Sequence, residues 1–388
     1  MAGFSSQDDL INQITTNGKF WRADFSKQFN PTTAAVAGEW HTLFRGGGNP
    51  AADALFDTGT NLLYQGVTDL TTSAGCIQHG GNVGASGDGF KVILNAAMFS
   101  AAATSMPAVA MLVDVLGFFR VTTVTTTTAQ TVINSNTFTA SSSSGLLLTY
   151  TNDFQNYQKV RFTNSGGALP TGLSAGTDYF LVRVSATTAR VATSYANAIA
   201  GTVISYTDAG TGTHTMTVRH NRYGDGAGVQ AIFFNPAATA LGAATPNLTL
   251  PSYTNAAGTA LRATPTSPSA PIGKTAASNS LVLYSGATGA GKFGPFVPLQ
   301  AGDTGIQSVQ TVQNSVSYVS GTYAVAFVKP LLTLPMTTIG VAAERELISQ
   351  LPSMPRVYDG AALYWLVYSG ANTPTNSAFY GNIDLGWS

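Results

Sequence analysis

The stretch from Gly286 to Phe293 contains the residue types that could hold a nucleotide phosphate. Its sequence, GATGAGKF, has a Gly-Lys pair at 291–292 with the spacing of a P-loop. In that loop, backbone amides and the lysine hold the phosphates, and a hydroxyl after the lysine binds magnesium. Phe293 has no hydroxyl, and Pro295 and Pro298 prevent the helix that must follow. We therefore predict a glycine-rich hairpin loop without saturable ATP or GTP binding.

Other patterns that could support catalysis or metal binding are equally weak. The chain has four histidines, none of them spaced as a ligand pair: His41, His79, His214 and His220. Cys76 is the only cysteine, so neither a disulfide within the chain nor a zinc site is expected. Asp88 could contact calcium but lacks further acidic ligands around it. We predict no catalytic, cofactor-binding or metal-binding residue, and no cofactor.

The charge composition favours a protein that is covered by partners. Lys plus Arg and Asp plus Glu each number 18, so the formal net charge is zero, and charged residues make up only 9% of the chain. A dedicated nucleic-acid binder needs a basic excess, which this sequence lacks. Ordinary globular domains contain roughly 25% charged residues, which protect their surfaces against association. We expect much of this surface to be buried by neighbouring subunits.

A long apolar stretch at 96–119 raises the question of a membrane span. Residues 96–113 are uncharged, which meets the length requirement for a transmembrane helix. However, Pro107 is central, and Asp114 lies inside the most apolar part. We interpret the stretch as two buried strands around a proline turn and expect no membrane partner. The acidic start of the chain, MAGFSSQDDL, is also unlike a signal peptide.

The N-terminal region, residues 1–34, is predicted to contain helices and an aromatic arm. Ser6 followed by Asp9 fits a capping box for a helix over 1–17. In residues 19–29, the aromatic residues at 21, 25 and 29 recur every four positions, which predicts a second helix. This helix could pack on its own domain, or it could be an arm that docks on a neighbouring subunit. The corresponding subunit-interface candidates are Phe20, Trp21, Phe25 and Phe29.

The remainder of the chain has the pattern of an antiparallel β protein. From residue 35, short apolar runs such as FKVILNAAMF and GTYAVAFVKP alternate with Gly, Pro, Asn and Ser. We predict a β-sandwich or jelly-roll-like host domain over 35–120 and 218–388. One short helix is expected late in this domain, at 340–351, with Glu344 and Glu346 on its solvated face. Two such glutamates on one helical turn are typical of a solvated surface and not of a glycosidase pair.

Residues 121–217 differ in composition and are predicted to form an inserted β module. The segment is rich in Thr and Ser and has its own regular series of strand patterns. An apolar host strand stops where it begins, and the apolar run VQAIFFNP follows soon after it ends. The stretch RHNRYGDG, 219–226, combines His220 with three charged residues, Arg219, Arg222 and Asp225, and we interpret it as the junction between insert and host.

Several stretches resemble proteins of bacteriophage particles. Residues 169–218 resemble a small β module that recurs in phage virion proteins, often in fibres and surface decorations. Residues 4–25, 342–371 and 377–387 resemble an uncharacterised family of tailed-phage structural proteins. The resemblance covers both ends and much of the host domain, and it assigns no active-site residues. It implies a virion component associated with the capsid.

The functional hypotheses follow from this resemblance and from the composition. The leading one is a non-enzymatic capsid-associated decoration or shell component, assembled in the bacterial cytoplasm as a homo-oligomer and bound to other virion proteins, the major capsid protein first among them. The alternative is a tail or fibre protein that binds host surface glycans through residues 121–217. A virion enzyme such as a depolymerase ranks third, because the sequence lacks paired acidic residues.

Overall fold

The computed structural model describes residues 4–29, 37–68, 75–81, 90–101, 107–236, 241–242, 246–265, 281–283, 294–349, 354–371 and 377–388. Within these ranges the chain is mainly antiparallel β-structure, as the sequence predicts, with two short α-helices. None of the helices in this part of the chain is long and apolar enough to cross a membrane.

The elements follow one another in three groups along the chain. Before the Thr/Ser-rich region come α1 (Gln7–Thr15), β1 (Phe20–Gln28), β2 (Glu39–Thr42), β3 (Gly48–Asn49), β4 (Gln65–Gly66), β5 (Lys91–Ser100) and β6 (Pro107–Val121). Within it come β7 (Gln130–Thr131), β8 (Ser135–Ser142), β9 (Leu146–Thr149), β10 (Lys159–Ser165), β11 (Tyr179–Ser185), β12 (Thr188–Ala192), α2 (Tyr195–Ile199) and β13 (Thr213–Val218). After it come β14 (Gln230–Phe234), β15 (Leu248–Asn255), β16 (Ile306–Asn314), β17 (Tyr323–Pro335), β18 (Ala343–Glu346), β19 (Leu363–Ser369) and β20 (Ala378–Trp387).

The first helix forms as its capping residues predict. The Ser6 side chain accepts a hydrogen bond from the Asp9 backbone N–H at 3.0 Å, which satisfies one of the free donors of the first turn. Leu10 is fully buried and anchors the helix to the sheet below it. Gly18, with φ of 64°, follows the last turn in the left-handed conformation that favours glycine.

The predicted second helix over 19–29 is wrong, because these residues form β1. The strand pairs with β20 without interruption, from Phe20 opposite Gly386 to Gln28 opposite Ala378. A four-residue spacing is also two periods of a strand, so the aromatic residues at 21, 25 and 29 fit either structure. Alternate residues of β1 are buried, and one of these buried positions is occupied by Lys27.

A six-stranded antiparallel sheet forms the centre of the molecule, in the order β14-β17-β6-β19-β2 with β4 attached to β6. Residues 281–283 connect its two edges, because Val282 bridges to Phe234 on β14 and Leu281 bridges to His41 on β2. Residues 112–119 of β6 are all buried, so both faces of this strand are covered, which explains its long apolar sequence. The interpretation of 96–119 as two strands is confirmed by β5 and β6.

A second sheet, in the order β18-β5-β20-β1-β3, packs against one face of the central sheet. Side chains from both sheets share one apolar core, in which the rings of Phe25 and Trp365 lie 5.6 Å apart. On the opposite side of this five-stranded sheet, Phe20, Arg22 and Asp24 of β1 are exposed, and β20 exposes Tyr380. We call this side the outer face.

The prediction of a helix over 340–351 is also wrong, because Ala343–Glu346 form the strand β18. Ala343–Glu346 pair with β5, with Ala343 opposite Met98 and Glu346 opposite Asn95. The charges that suggested a solvated helix face lie instead on a short strand at the edge of a sheet. Charged residues are common on such strands, because they oppose pairing with a further chain.

The strands from β8 to β13 form a closed barrel in the order β10-β11-β12-β9-β8-β13. The barrel starts at Ser135, and the preceding residues belong to the host sheets: Gln130 pairs with Val312, and Ile133 bridges to Leu63. The ends of the barrel are adjacent, since the Val218 N–H donates to the Asn134 carbonyl oxygen at 2.8 Å. This closeness is what an inserted module requires of its host.

Candidate functional site

The structure separates the four predicted interface residues into two pairs. Phe25 and Phe29 are only 3% and 1% exposed and pack inside the chain, Phe29 against His41 and Phe379. Phe20 and Trp21 are 39% and 44% exposed at the start of β1. Phe25 and Phe29 therefore serve the chain's own core, and only Phe20 and Trp21 present large aromatic area to a partner.

Trp21 is held in place by a glycine-rich segment that crosses it. A Cβ atom at Gly80 would lie 2.8 Å from the Trp21 ring, and a Cβ at Gly81 would overlap the ring of Trp387. Only glycine lets the backbone approach the two indoles this closely. The exposed part of Trp21 is therefore fixed in orientation, and a fixed aromatic side chain loses little conformational entropy when a partner covers it.

A second aromatic pair lies on the outer face, and the sequence reasoning missed it. Phe99 on β5 and Tyr380 on β20 are stacked with ring centroids 5.4 Å apart and are 36% and 40% exposed. Phe20 lies on the same face by the alternation of β1. The alternation of β5 could have revealed Phe99, but its first four residues are all buried and hide the period of two.

Between these aromatic residues the outer face is mostly acidic. Arg22 donates two hydrogen bonds to Asp384, at 2.8 and 2.9 Å, and this carboxylate raises the pKa of the Arg22 guanidinium. Asn95 donates to Glu344 at 2.8 Å, and Asp24 is exposed nearby on β1. The face therefore combines exposed aromatic area with hydrogen-bond acceptors, and a protein partner can use both.

The four histidines lie at separate buried positions and do not form a site together. Burial lowers the pKa of His79 and that of His220 to about 3. His79 Nδ1 is 3.3 Å from Lys91 Nζ, and its Nε2 is 3.0 Å from the Ala361 carbonyl oxygen. Lys91 is itself buried and paired with Asp359 at 3.0 Å. The His79 and His220 rings are therefore neutral at pH 7, and among the described residues no group of His, Cys, Asp and Glu could hold a metal.

The junction segment 219–226 contains a buried ion pair rather than a reactive group. Arg222 and Asp114 are joined by two hydrogen bonds of 2.7 and 2.8 Å, and Arg222 also donates to the Val67 and Val115 carbonyl oxygens. Each of the three guanidinium nitrogens donates to an acceptor, so the buried charge is well compensated. The arrangement connects the exit of the barrel to the central sheet.

A polar cleft of about 210 Å³ lies where the barrel meets the host. Thr58, Thr60 and Gln65 line it from the host, and Asp153 and Gln155 line it from the barrel. The Asp153 carboxylate is oriented by two hydrogen bonds from Arg183, at 2.8 and 2.7 Å. Hydroxyl, amide and carboxylate groups in such an arrangement can bind the hydroxyls of a sugar.

Comparison with known proteins gave no match to a family model, to a curated protein or to a solved structure. The glycine-rich stretch 284–293 and the turn at 84–89 lie outside the described residues. The predictions made for Lys292 and Asp88 therefore stay predictions. A strand is expected before the glycine-rich stretch. Its described residues, 281–283, form bridges to both edges of the central sheet.

Proposed function

We propose that the chain is a structural protein of a bacteriophage particle, a decoration or shell component associated with the capsid. The observation that carries the proposal is the outer face, which presents Phe20, Phe99 and Tyr380 on one rigid sheet. Exposed aromatic residues on a fixed surface are typical anchors of protein interfaces. The partner is a neighbouring virion protein, first of all the major capsid protein.

Composition and resemblance support the same function. Zero net charge and 9% charged residues suit a subunit whose surface is covered after assembly. The terminal segments that resemble tailed-phage structural proteins include β1 and β20, the strands that carry Phe20 and Tyr380. In this arrangement the outer face docks on the particle and the barrel projects outward.

The second function, a tail or fibre protein that binds host glycans, is favoured by the polar cleft at the barrel. A cleft of about 210 Å³ is large enough for one sugar ring, and its lining offers both donors and acceptors. Among the described residues, the aromatic residue of its lining is Phe118, which is only 1% exposed and offers no ring on which a sugar could stack, so the capsid-associated function ranks first.

Counting the chain in purified particles tests the proposal. Quantitative mass spectrometry of particles from the phage that encodes this chain should give on the order of hundreds of copies, as expected for a symmetric shell. A copy number of only a few to dozens would favour the tail or fibre function. Absence from purified particles would contradict both functions.

A further inference from the structure

Leu261 is an apolar side chain held in an unfavourable backbone conformation on the surface. Its side chain is 85% exposed, the highest value among the large hydrophobic residues of the described chain. Its φ is 58°, in the left-handed region that leucine rarely adopts. Neither the exposure nor the backbone conformation stabilises the isolated chain. Strain of this kind persists only where the surroundings impose it, and it is concentrated at functional positions.

The surroundings of Leu261 fix the loop that presents it. Tyr253 and Arg262 exchange two backbone hydrogen bonds, at 2.8 and 3.0 Å, directly beside it. The Asp303 carboxylate accepts from Tyr253 Oη at 2.5 Å, Asn255 Nδ2 at 2.7 Å and Arg262 Nε at 3.0 Å. Asn255 Oδ1 in turn accepts two backbone N–H groups of the turn. The leucine is thus presented by a preorganised loop, which lowers the entropy cost of binding.

A groove that could receive such a side chain lies next to it on the same surface. The groove measures about 550 Å³ and is lined by apolar residues, among them Phe296, Leu299, Ala301 and Pro330, and by the polar Gln230, Gln300 and Asp303. Arg262 Nη2 lies 3.5 Å from the Ala301 carbonyl oxygen, and the Ala263 N–H lies 3.4 Å from Gln300 Oε1. The groove wall therefore begins one or two residues from Leu261.

We propose that this surface pairs with itself, so that Leu261 of each copy enters the groove of a second copy of the chain. A two-fold interface places the same patch on both subunits, and each contact between residues i and j occurs twice. A protruding residue and a cavity that lie side by side satisfy this condition. The zero net charge and the few charged residues of the chain place no electrostatic barrier against such pairing.

This pairing deepens the assembly part of the proposed function, but it is measured on the purified protein and does not depend on the virion. Sedimentation velocity from about 1 to about 100 µM should show a concentration-dependent monomer–dimer equilibrium. Leu261→Asn should raise the dissociation constant about ten-fold or more, since it removes the anchor. The melting temperature of the dilute monomer should stay the same or rise by about 1 °C, because asparagine tolerates this φ better.

Val319→Asn is the matched control. Val319 also has a positive φ, 65°, and is 70% exposed, but it lies at the opposite end of the β15–β16 pair. It should leave the dissociation constant unchanged. From the groove side, Ala301→Arg should weaken the dimer as Leu261→Asn does. The proposal would be overturned if the wild-type protein were entirely monomeric at about 100 µM. It would also be overturned if Val319→Asn and Leu261→Asn raised the dissociation constant equally.

Cross-linking tests the contact itself. Leu261→Cys protein is mixed with a longer tagged form of Ala301→Cys protein under mild oxidation, so that a dimer of intermediate size reports the mixed disulfide. Cys76 is buried and does not compete. The mixed disulfide should form readily at concentrations where the wild-type protein is dimeric. Failure to form it under those conditions would place the dimer contact elsewhere and contradict the proposal.

Discussion

Arg222, just beyond the end of the barrel, forms a two-bond ion pair with Asp114 in the interior of β6, and both side chains are almost completely buried. The side chains are 4% and 0% exposed. Asp114 also accepts the Ala362 N–H at 2.9 Å, so the pair joins the barrel exit, β6 and the start of β19. Nothing in the local sequence around residue 114 indicated a partner more than a hundred positions away.

Removing one member of this pair should be strongly destabilising. Asp114→Asn or Arg222→Met leaves the other charge buried without its partner, which typically costs about 3–5 kcal/mol of unfolding free energy. The double variant should cost less than the sum of the two single changes. Urea unfolding gives these values. Arg183→Met is the control, because the Arg183–Asp153 pair is 37% and 49% exposed and should contribute about 1 kcal/mol or less.

The aromatic residues of β1 should separate into a stability class and an assembly class. Phe25→Ala should cost about 3–5 kcal/mol of unfolding free energy, because the ring is buried against Trp365. Trp21→Ala should cost less stability than Phe25→Ala, because the Trp21 ring is 44% exposed, yet it should weaken assembly into particles by about 2 kcal/mol. Thermal melting and incorporation into particles measure the two effects. A large loss of stability with normal incorporation would assign Trp21 to the chain's own core.

Acid should destabilise the fold through His79 and His220. Burial lowers the pKa of each to about 3, below the ordinary value of 6.5 that applies in the unfolded chain. The unfolded chain therefore binds more protons between these values, so stability is full above about pH 6.5 and falls as the pH drops towards 3. At pH 5 each histidine should lower the unfolding free energy by about 2 kcal/mol.

Urea unfolding of the wild type at pH 5 and pH 7 measures this loss. His220→Gln should remove about half of the loss in unfolding free energy that the two histidines cause between pH 7 and pH 5. This holds whatever the effect of the substitution on stability at pH 7. An unchanged pH dependence in both His220→Gln and His79→Gln would show that other groups cause the acid sensitivity.

The sequence predicted the class of fold but misassigned two segments, each for a physical reason. In β1 the buried alternate positions include Lys27, whose ammonium donates to the Pro50 and Ala51 carbonyl oxygens at 3.1 Å. A charged residue at a core position conceals the period of two, and the aromatic spacing then suggests a helix. Burial lowers the pKa of Lys27 to about 8, a tertiary effect that local sequence does not encode.

The candidate surfaces depended still more on tertiary structure. Phe99 and Tyr380 come from strands almost three hundred residues apart and meet only because β5 and β20 are paired. The strand β18 resembled a helix face because its charges protect a sheet edge. By contrast, the Ser6 cap and the apolar β6 are local signals, and these predicted features correspond to elements of the structure.

Excising the barrel is the last prediction, and the structure specifies where the cuts belong. Replacing 135–218 by a short Gly/Ser link should leave a folded host, because Asn134 and Val218 are already joined by a 2.8 Å hydrogen bond. Closing so short a gap costs on the order of 1 kcal/mol. Removing 121–217 instead also deletes Val124 and Val132, which are buried with the host strands, so that protein should melt at a clearly lower temperature. Circular dichroism and thermal melting compare the two deletions, and a molten product from the 135–218 deletion would show that barrel and host form a single cooperative fold.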